Sequence, residues 1–285
     1  MVITLFLLGL LYVAFVAVLI YLGVQAVVVA ALAVVFLLVQ FFLSDKIALF
    51  AMHGREVSAQ EAPQLHGVID RLCALADMPK PRVAIADTDV PNAFATGHSR
   101  KKSVVCVTTG LLRRLEPEEL EGVLAHEMSH VAHRDVVVMT VASFLGIVAG
   151  LMTRFALYSG LGRGRGDRGG PPIGLIILAV SALVYAVSFL LTRALSRYRE
   201  LAADRAAALL TQRPSALASA LTKVSGEIAR IPTRDLREAQ AFNAFFFAPA
   251  ISGGVSLANL LATHPPLERR LEELSKISAQ LGRGV

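Results

Sequence analysis

Two histidines stand four residues apart in Leu124-Ala125-His126-Glu127-Met128-Ser129-His130. On a helix that spacing puts both imidazoles on one face, one turn above the other. Both can then reach a single tetrahedral zinc ion, at about 2.0–2.1 Å from each nitrogen. Glu127 follows the first histidine and lies beside the coordination position left open, where a carboxylate can take a proton from metal-bound water. The chemistry is metal-assisted hydrolysis. Its helix has a start signal in Glu116-Pro117-Glu118-Glu119: proline suits the first turn, and carboxylates suit the positive end of the helix dipole. Leu120, Val123 and Leu124 follow at helical spacing.

A catalytic zinc takes three protein ligands, so a third must come from elsewhere. The best candidate is Glu200, in Ser196-Arg197-Tyr198-Arg199-Glu200-Leu201-Ala202-Ala203-Asp204. It is expected to open an Ala-rich helix whose small residues allow close packing against the histidine helix. Asp204, one turn on, can accept the free ring N–H of a ligating histidine and fix its tautomer. An exposed Glu/Asp pair is the plainer reading of that spacing. His133 lies about 10 Å along the axis from His126 and cannot share its metal. The extended metzincin pattern would put Gly where His133 stands and His where Val136 stands, and that class is excluded. His133 is therefore read as an interfacial or supporting residue. His264, held by Pro265 and Pro266, can present an imidazole to the site, although a histidine before proline is more often a cap.

Around these residues the chain is unusually apolar. Its 285 residues are 55% hydrophobic, and the mean hydropathy is +0.60, too high for an ordinary soluble domain. Met1 to Leu43 carries no charge and is about twice the length of one bilayer crossing. Two spans are expected, near 2–21 and 25–43, with a turn at Tyr21-Leu22-Gly23. Val136 to Leu157 and Ile173 to Leu191 form a second apolar pair, joined by a Gly/Arg-rich loop from Ser159 to Pro172. The loop has no interleaved aromatics and reads as a linker, so no nucleic-acid partner is expected. Lys and Arg between Ser44 and Asp135 favour the cytoplasmic side, yet a second spanning hairpin would put Arg163, Arg165 and Arg168 outside. The net charge of +6 fits a surface lying against anionic lipid, or equally a solvated basic face. Cys73 and Cys106 are isolated and read as buried thiols.

Between the first apolar pair and the histidine helix, Glu61 to Met78 has helical periodicity, ended by Pro79. Residues 82–86 and 103–107 read as strands, and Val90 to Gly97 as a further short extended segment. A small sheet there offers an edge on which an extended peptide can pair through its backbone. Pro214 to Ile231 reads as a helix, and Phe242, Phe245, Phe246 and Phe247 as core or interfacial anchors.

The chain resembles the HtpX-type membrane zinc endopeptidases, relatives of the type I CAAX prenyl proteases. The resemblance rests on an N-terminal apolar hairpin, Pro91-Asn92-Ala93-Phe94-Ala95-Thr96-Gly97, His126-Glu127-Met128-Ser129-His130, a second hairpin, Arg199-Glu200-Leu201-Ala202-Ala203-Asp204, and Thr263-His264-Pro265-Pro266. His98 and Arg134 depart from the family pattern without touching the metal set. The resemblance implies a mainly α integral membrane protein, with a gluzincin-like α+β metalloprotease domain on two transmembrane hairpins. The expected parts are a hairpin (1–43), the sheet and histidine helix (44–135), a second hairpin (136–192), and the Glu200 and C-terminal helices (193–285). It also implies one zinc on His126, His130 and Glu200, with Glu127 as general base and proton donor, and His264 as a candidate oxyanion donor. Asn92, Ala93 and Phe94 are expected in the peptide-binding edge. The implied activity is proteolysis of misfolded or damaged membrane proteins at the cytoplasmic face of the cell membrane, as a stress response. A specific prenyl-protein processing protease and a non-catalytic zinc scaffold are the competing classes.

Overall fold

A computed structural model describes residues 2–21, positions 31, 34, 35, 38 and 39, and residues 41–158, 173–230 and 264–282. In chain order the elements are α1 (Val2–Tyr21), α2 (Ser44–Ala51), β1 (Gly54–Glu56), α3 (Pro63–Ala76), β2 (Arg82–Ala86), β3 (Ala93–Ser99) and β4 (Lys102–Thr108). They continue with α4 (Thr109–Arg114), α5 (Pro117–Ala132), α6 (Asp135–Tyr158), α7 (Ile173–Thr211), α8 (Pro214–Arg230) and α9 (Leu267–Gln280). The expected turn at Leu22-Gly23, most of the second span, the Gly/Arg loop, the Phe242–Phe247 cluster and Thr263 lie outside the described residues. The chain divides into two compact units, Met1–Gln40 with Val138–Leu195, and Phe41–Val137 with Ser196–Val285.

The first unit packs α1 with the apolar stretches of α6 and α7. Phe15, Val148, Ala149, Met152, Ile177 and Val184 form one cluster, and Leu8, Ala142 and Leu195 another. The helices over Asp135–Arg154 and Leu175–Thr211 each contain an 18-residue stretch long and apolar enough to cross a membrane, with mean hydropathies of 2.2 and 2.5; in α7 the charged residues begin only at Arg193. Only 25% and 22% of their most apolar windows are buried, so these are not ordinary core helices. Neither expected hairpin is confirmed, because the residues that would close each one fall outside the described set. α7 contains no proline or glycine after Gly174 and runs unbroken for 39 residues, about 58 Å at the helical rise. Glu200 therefore lies well inside a helix. The expectation that it opens a new one is corrected.

The second unit is built on a mixed sheet of order β1-β2-β4-β3. β2 and β4 run parallel, while β1 and β3 pair antiparallel at the two edges. Side chains alternate between faces, as the pleat requires. Val83, Ala93, Val105 and Val107 face one core with α3, α5, α8 and α9, through residues such as Ile69, Leu124, Leu221 and Leu274. Ala84, Ala86, Phe94, Val104 and Cys106 face the other side, under Ala48 of α2. β3 ends in a bulge at Gly97, whose φ of 140° suits glycine and where a Cβ would meet Lys102 O at 2.3 Å. α5 begins with a reciprocal capping box: Glu116 accepts from the backbone of Glu119, whose side chain accepts from Glu116 N at 2.9 Å.

Candidate metal centre and active site

α5 lies beside the edge strand β3, with His126 and Glu127 buried. The Ala95 N–H donates to Glu127 Oε2 at 2.9 Å. In the β3–β4 ladder, Asn92 O accepts from Thr108 N, so even-numbered residues turn their backbone groups inward and Ala93 and Ala95 turn theirs outward. One such outward donor thus meets the glutamate of the histidine helix. Burial pushes the Glu127 carboxyl up from its ordinary value, against the pull of His126 and His130.

The Nε2 atoms of His126 and His130 are 3.2 Å apart. Glu200, brought in by α7, places Oε2 3.6 Å from the first and Oε1 3.5 Å from the second. For ligands about 2.0–2.1 Å from a tetrahedral ion, neighbouring donor atoms lie roughly 3.3 Å apart. The three side chains can therefore close on one divalent ion of that size, and their donor types suit it.

Each imidazole is aimed by a carboxylate behind it. His126 Nδ1 is 2.9 Å from Asp204 Oδ1, and His130 Nδ1 is 2.7 Å from Asp135 Oδ2. Each carboxylate in turn meets an arginine. Arg270 of α9 grips Asp204 through two hydrogen bonds at 2.6 and 2.7 Å, and Arg199 pairs with Asp135. Burial works to raise the Asp204 carboxyl, but Arg270 and His126 hold it down at about 2. Glu200 is likewise raised by burial and pulled further the other way, chiefly by His264, to well below the carboxylate range.

Asp135, Arg199, Arg270 and the Ala95 N–H were not among the residues expected from sequence. Asp135 follows the end of α5, directly after Arg134 in a left-handed φ of 55°, and its carboxylate reaches back to His130. Arg270 carried a weak signal, an arginine on the inward face of an otherwise amphipathic helix.

The other expected residues take definite places. His264 Nδ1 donates to Glu200 Oε2 at 2.8 Å, and its Nε2 is buried without a partner among the described residues. Asn92, Ala93 and Phe94 are all buried, Ala93 towards α5 and Phe94 on the opposite side of the sheet. His133 caps α5, its Nδ1 2.8 Å from Ser129 O. Cys73 and Cys106 are free and buried, and burial pushes the Cys106 thiol to about 12.

Residues 59–278 match the profile of Peptidase family M48. Protease HtpX homolog 1 of Streptomyces coelicolor is 64% identical over 280 residues, covering 98% of this chain and 92% of that one. Protease HtpX homolog of Moorella thermoacetica is 51% identical over 285 residues, covering 99% and 94%. Among solved structures, S. mikatae Ste24p shares the fold with a TM-score of 0.57 at 18% identity. That match covers 93% of this chain and 62% of the Ste24p chain, so this chain spans less than two thirds of it. Identity along nearly the whole length, and a family match that includes every residue of the His126, Glu200 and His264 cluster, lead to one assignment: the chain belongs to the M48 metallopeptidases, among the HtpX-type proteases.

Proposed function

We propose that the protein is a membrane-bound zinc endopeptidase that hydrolyses peptide bonds of misfolded or damaged membrane proteins, its active site on the cytoplasmic side. The observation that carries this reading is the triangle of His126, His130 and Glu200 with Glu127 beside it. Three protein ligands leave a position open, as catalytic zinc sites do, whereas structural sites are closed by four. Zinc would supply a Lewis acid and lower the pKa of water to about 7.

The remaining work falls to the chain itself. Glu127 accepts a proton from the attacking water and passes it to the leaving amine nitrogen. Its raised pKa brings it closer to neutral pH, where a group can both take and give a proton. Ala95 N–H fixes its orientation. The β3 edge receives the substrate as an added strand. Within Asn92–Phe94, Ala93 presents its backbone to that edge, while Asn92 and Phe94 hold the strand from within. His264, with Nδ1 on Glu200, has Nε2 available for a developing oxyanion. The apolar α6 and α7 and the similarity to HtpX-type proteases support the membrane location and the proteolytic activity.

The test is zinc content and casein cleavage of the detergent-purified protein beside Glu127→Gln. Zinc in both, with cleavage by the wild type alone, is expected. Zinc with equally negligible cleavage in both would move the reading to a narrowly specific processing enzyme or a scaffold. A folded protein that takes up no zinc would overturn the site.

A further inference from the structure

The side of the sheet away from α5 carries a second feature. α2 seats Ala48 on that face, with Leu49 and Met52 at the margin. Its outer face is not polar. Leu43, Ile47 and Phe50 are spaced by four and three residues and stand exposed on one side of the helix, Phe50 at 86%. Phe42 beside them is 54% exposed. Single exposed apolar residues are ordinary, but two on so short a helix with two more directly before it mark a contact surface.

Next to this row, between the first turn of α2 and the β3–β4 turn, is a cavity of about 370 Å³. Lys46, Lys101 and Lys102 line it, and none meets an anionic partner among the described residues. The single acidic residue in the wall, Asp45, is taken by Arg82, which also holds Glu56. His98 completes the lining, its ring centroid 5.8 Å from that of Phe41 and 5.3 Å from that of Phe42. Its Nδ1 is buried without a hydrogen-bond partner among the described residues.

We propose that this cavity binds the phosphate of an anionic phospholipid headgroup, with Phe42, Leu43, Ile47 and Phe50 lying among the acyl chains. Three ammonium groups around an imidazole call for an anion, and the apolar row at the rim calls for one that carries hydrocarbon. A free phosphate would leave that row without a role. α2 is also where the chain leaves its uncharged N-terminal stretch, so both features sit where a bilayer surface is expected. Lysines there can extend their ammonium groups to headgroup level along apolar stems, and are drawn to anionic lipid. The proposal rests on the membrane location and not on the protease reading.

The chain has no tryptophan, so Phe50→Trp gives a single fluorescent reporter. The full-length variant is reconstituted in phosphatidylcholine vesicles with about 20 mol % phosphatidylglycerol, bromine being carried on one lipid or on an equal share of the other. Brominated phosphatidylglycerol is expected to quench about twofold or more above brominated phosphatidylcholine. Combined Lys46→Gln, Lys101→Gln and Lys102→Gln should bring the two to parity. A control losing the same charge at Lys80, Arg205 and Lys276 should keep the excess. Equal quenching in the reporter protein overturns the headgroup site and leaves the membrane location standing. No quenching by either lipid, with the protein still floating with the vesicles, overturns the apolar contact as well. Abolition of the excess by inorganic phosphate assigns the cavity to a free anion and overturns the lipid. Failure to float at all would instead sink the membrane location on which the proposal rests.

Discussion

The histidine ligands are held through two carboxylate–arginine pairs, and the side chains behind them make different demands. Asp204 and Arg270 are both almost completely buried, and the guanidinium keeps the carboxyl ionised in the interior. Removing one charge of such a pair leaves the other uncompensated, at a cost of about 3–5 kcal/mol. Asp204→Asn is therefore expected to lower the melting temperature as well as metal affinity. Asp135→Ala removes the hydrogen-bond acceptor that orients His130, and should weaken zinc binding about 10–100-fold. With zinc saturating, its kcat should return close to wild type. Competition against a chromophoric chelator reads that difference, and an unchanged affinity would reduce Asp135 to a tie between α6 and α7. His264 sits closer to the reacting atoms under the proposed mechanism. Loss of an oxyanion donor lowers kcat about 10²–10³-fold, and His264→Ala should do so with KM unchanged. A drop of only a few-fold would assign His264 to holding Glu200 in place.

At the scale of elements, the position of α5 depends on one carboxylate with several partners. Glu119 closes the capping box and accepts from Ser219 Oγ at 2.6 Å and from Lys223 Nζ at 2.8 Å, both on α8. Gly122 permits the close approach, since a Cβ there would come within 3.3 Å of the Leu217 backbone. Burial tends to raise the Glu119 carboxyl, but Lys223, Ser219 and the Glu116 backbone outweigh it and lower its pKa. Its stabilisation is therefore complete above the unfolded value near 4.5 and is lost as pH falls through the folded one. Glu119→Gln should cost about 1–2 kcal/mol at neutral pH. The gap in melting temperature from wild type should then narrow on acidification; a gap equal at pH 7 and pH 4 would contradict the assignment. The start of α5 was legible in sequence because its signals are local: a proline, a cap and a carboxylate three residues on. The end of the apolar part of α7 was misread for a related reason. Polarity changes near Arg193, but no proline or glycine breaks the backbone, so the helix continues through Glu200. β1, at three residues, is too short for alternation to reveal it. The Asp135 contact follows one left-handed residue, which an arginine does not announce.

Over the whole chain, the site in the second unit draws on four stretches, 92–95, 126–135, 199–204 and 264–270, and sequence alone pointed to a member of each. For two of them it did so through residue chemistry, two histidines at helical spacing and a Glu/Asp pair one turn apart, and for Asn92–Phe94 and His264 through the family resemblance. It did not point to Arg199 or Arg270: Arg270 stands in register with Leu274 and Ile277 on the inward face of α9, but only the carboxylate it meets explains an arginine there. The same distribution sets what metal removal should do. An ion on His126, His130 and Glu200 would link α5 to α7 across 70 residues of sequence, counting from His130 to Glu200. Without it, a carboxylate and two imidazoles remain in a buried cluster tied only by their outer partners. Binding at free metal about 100–1,000 times Kd stabilises the native state by about 2.7–4.1 kcal/mol. A zinc chelator should thus lower the melting temperature of the detergent-solubilised protein by several degrees, and added zinc should restore it. Glu127→Gln, which leaves the ligands intact, should respond as wild type does. His130→Ala should begin lower and respond little. Equal chelator responses in wild type and His130→Ala would mean that the stabilising metal sits elsewhere, and the triangle could not then be the centre about which these helices are held.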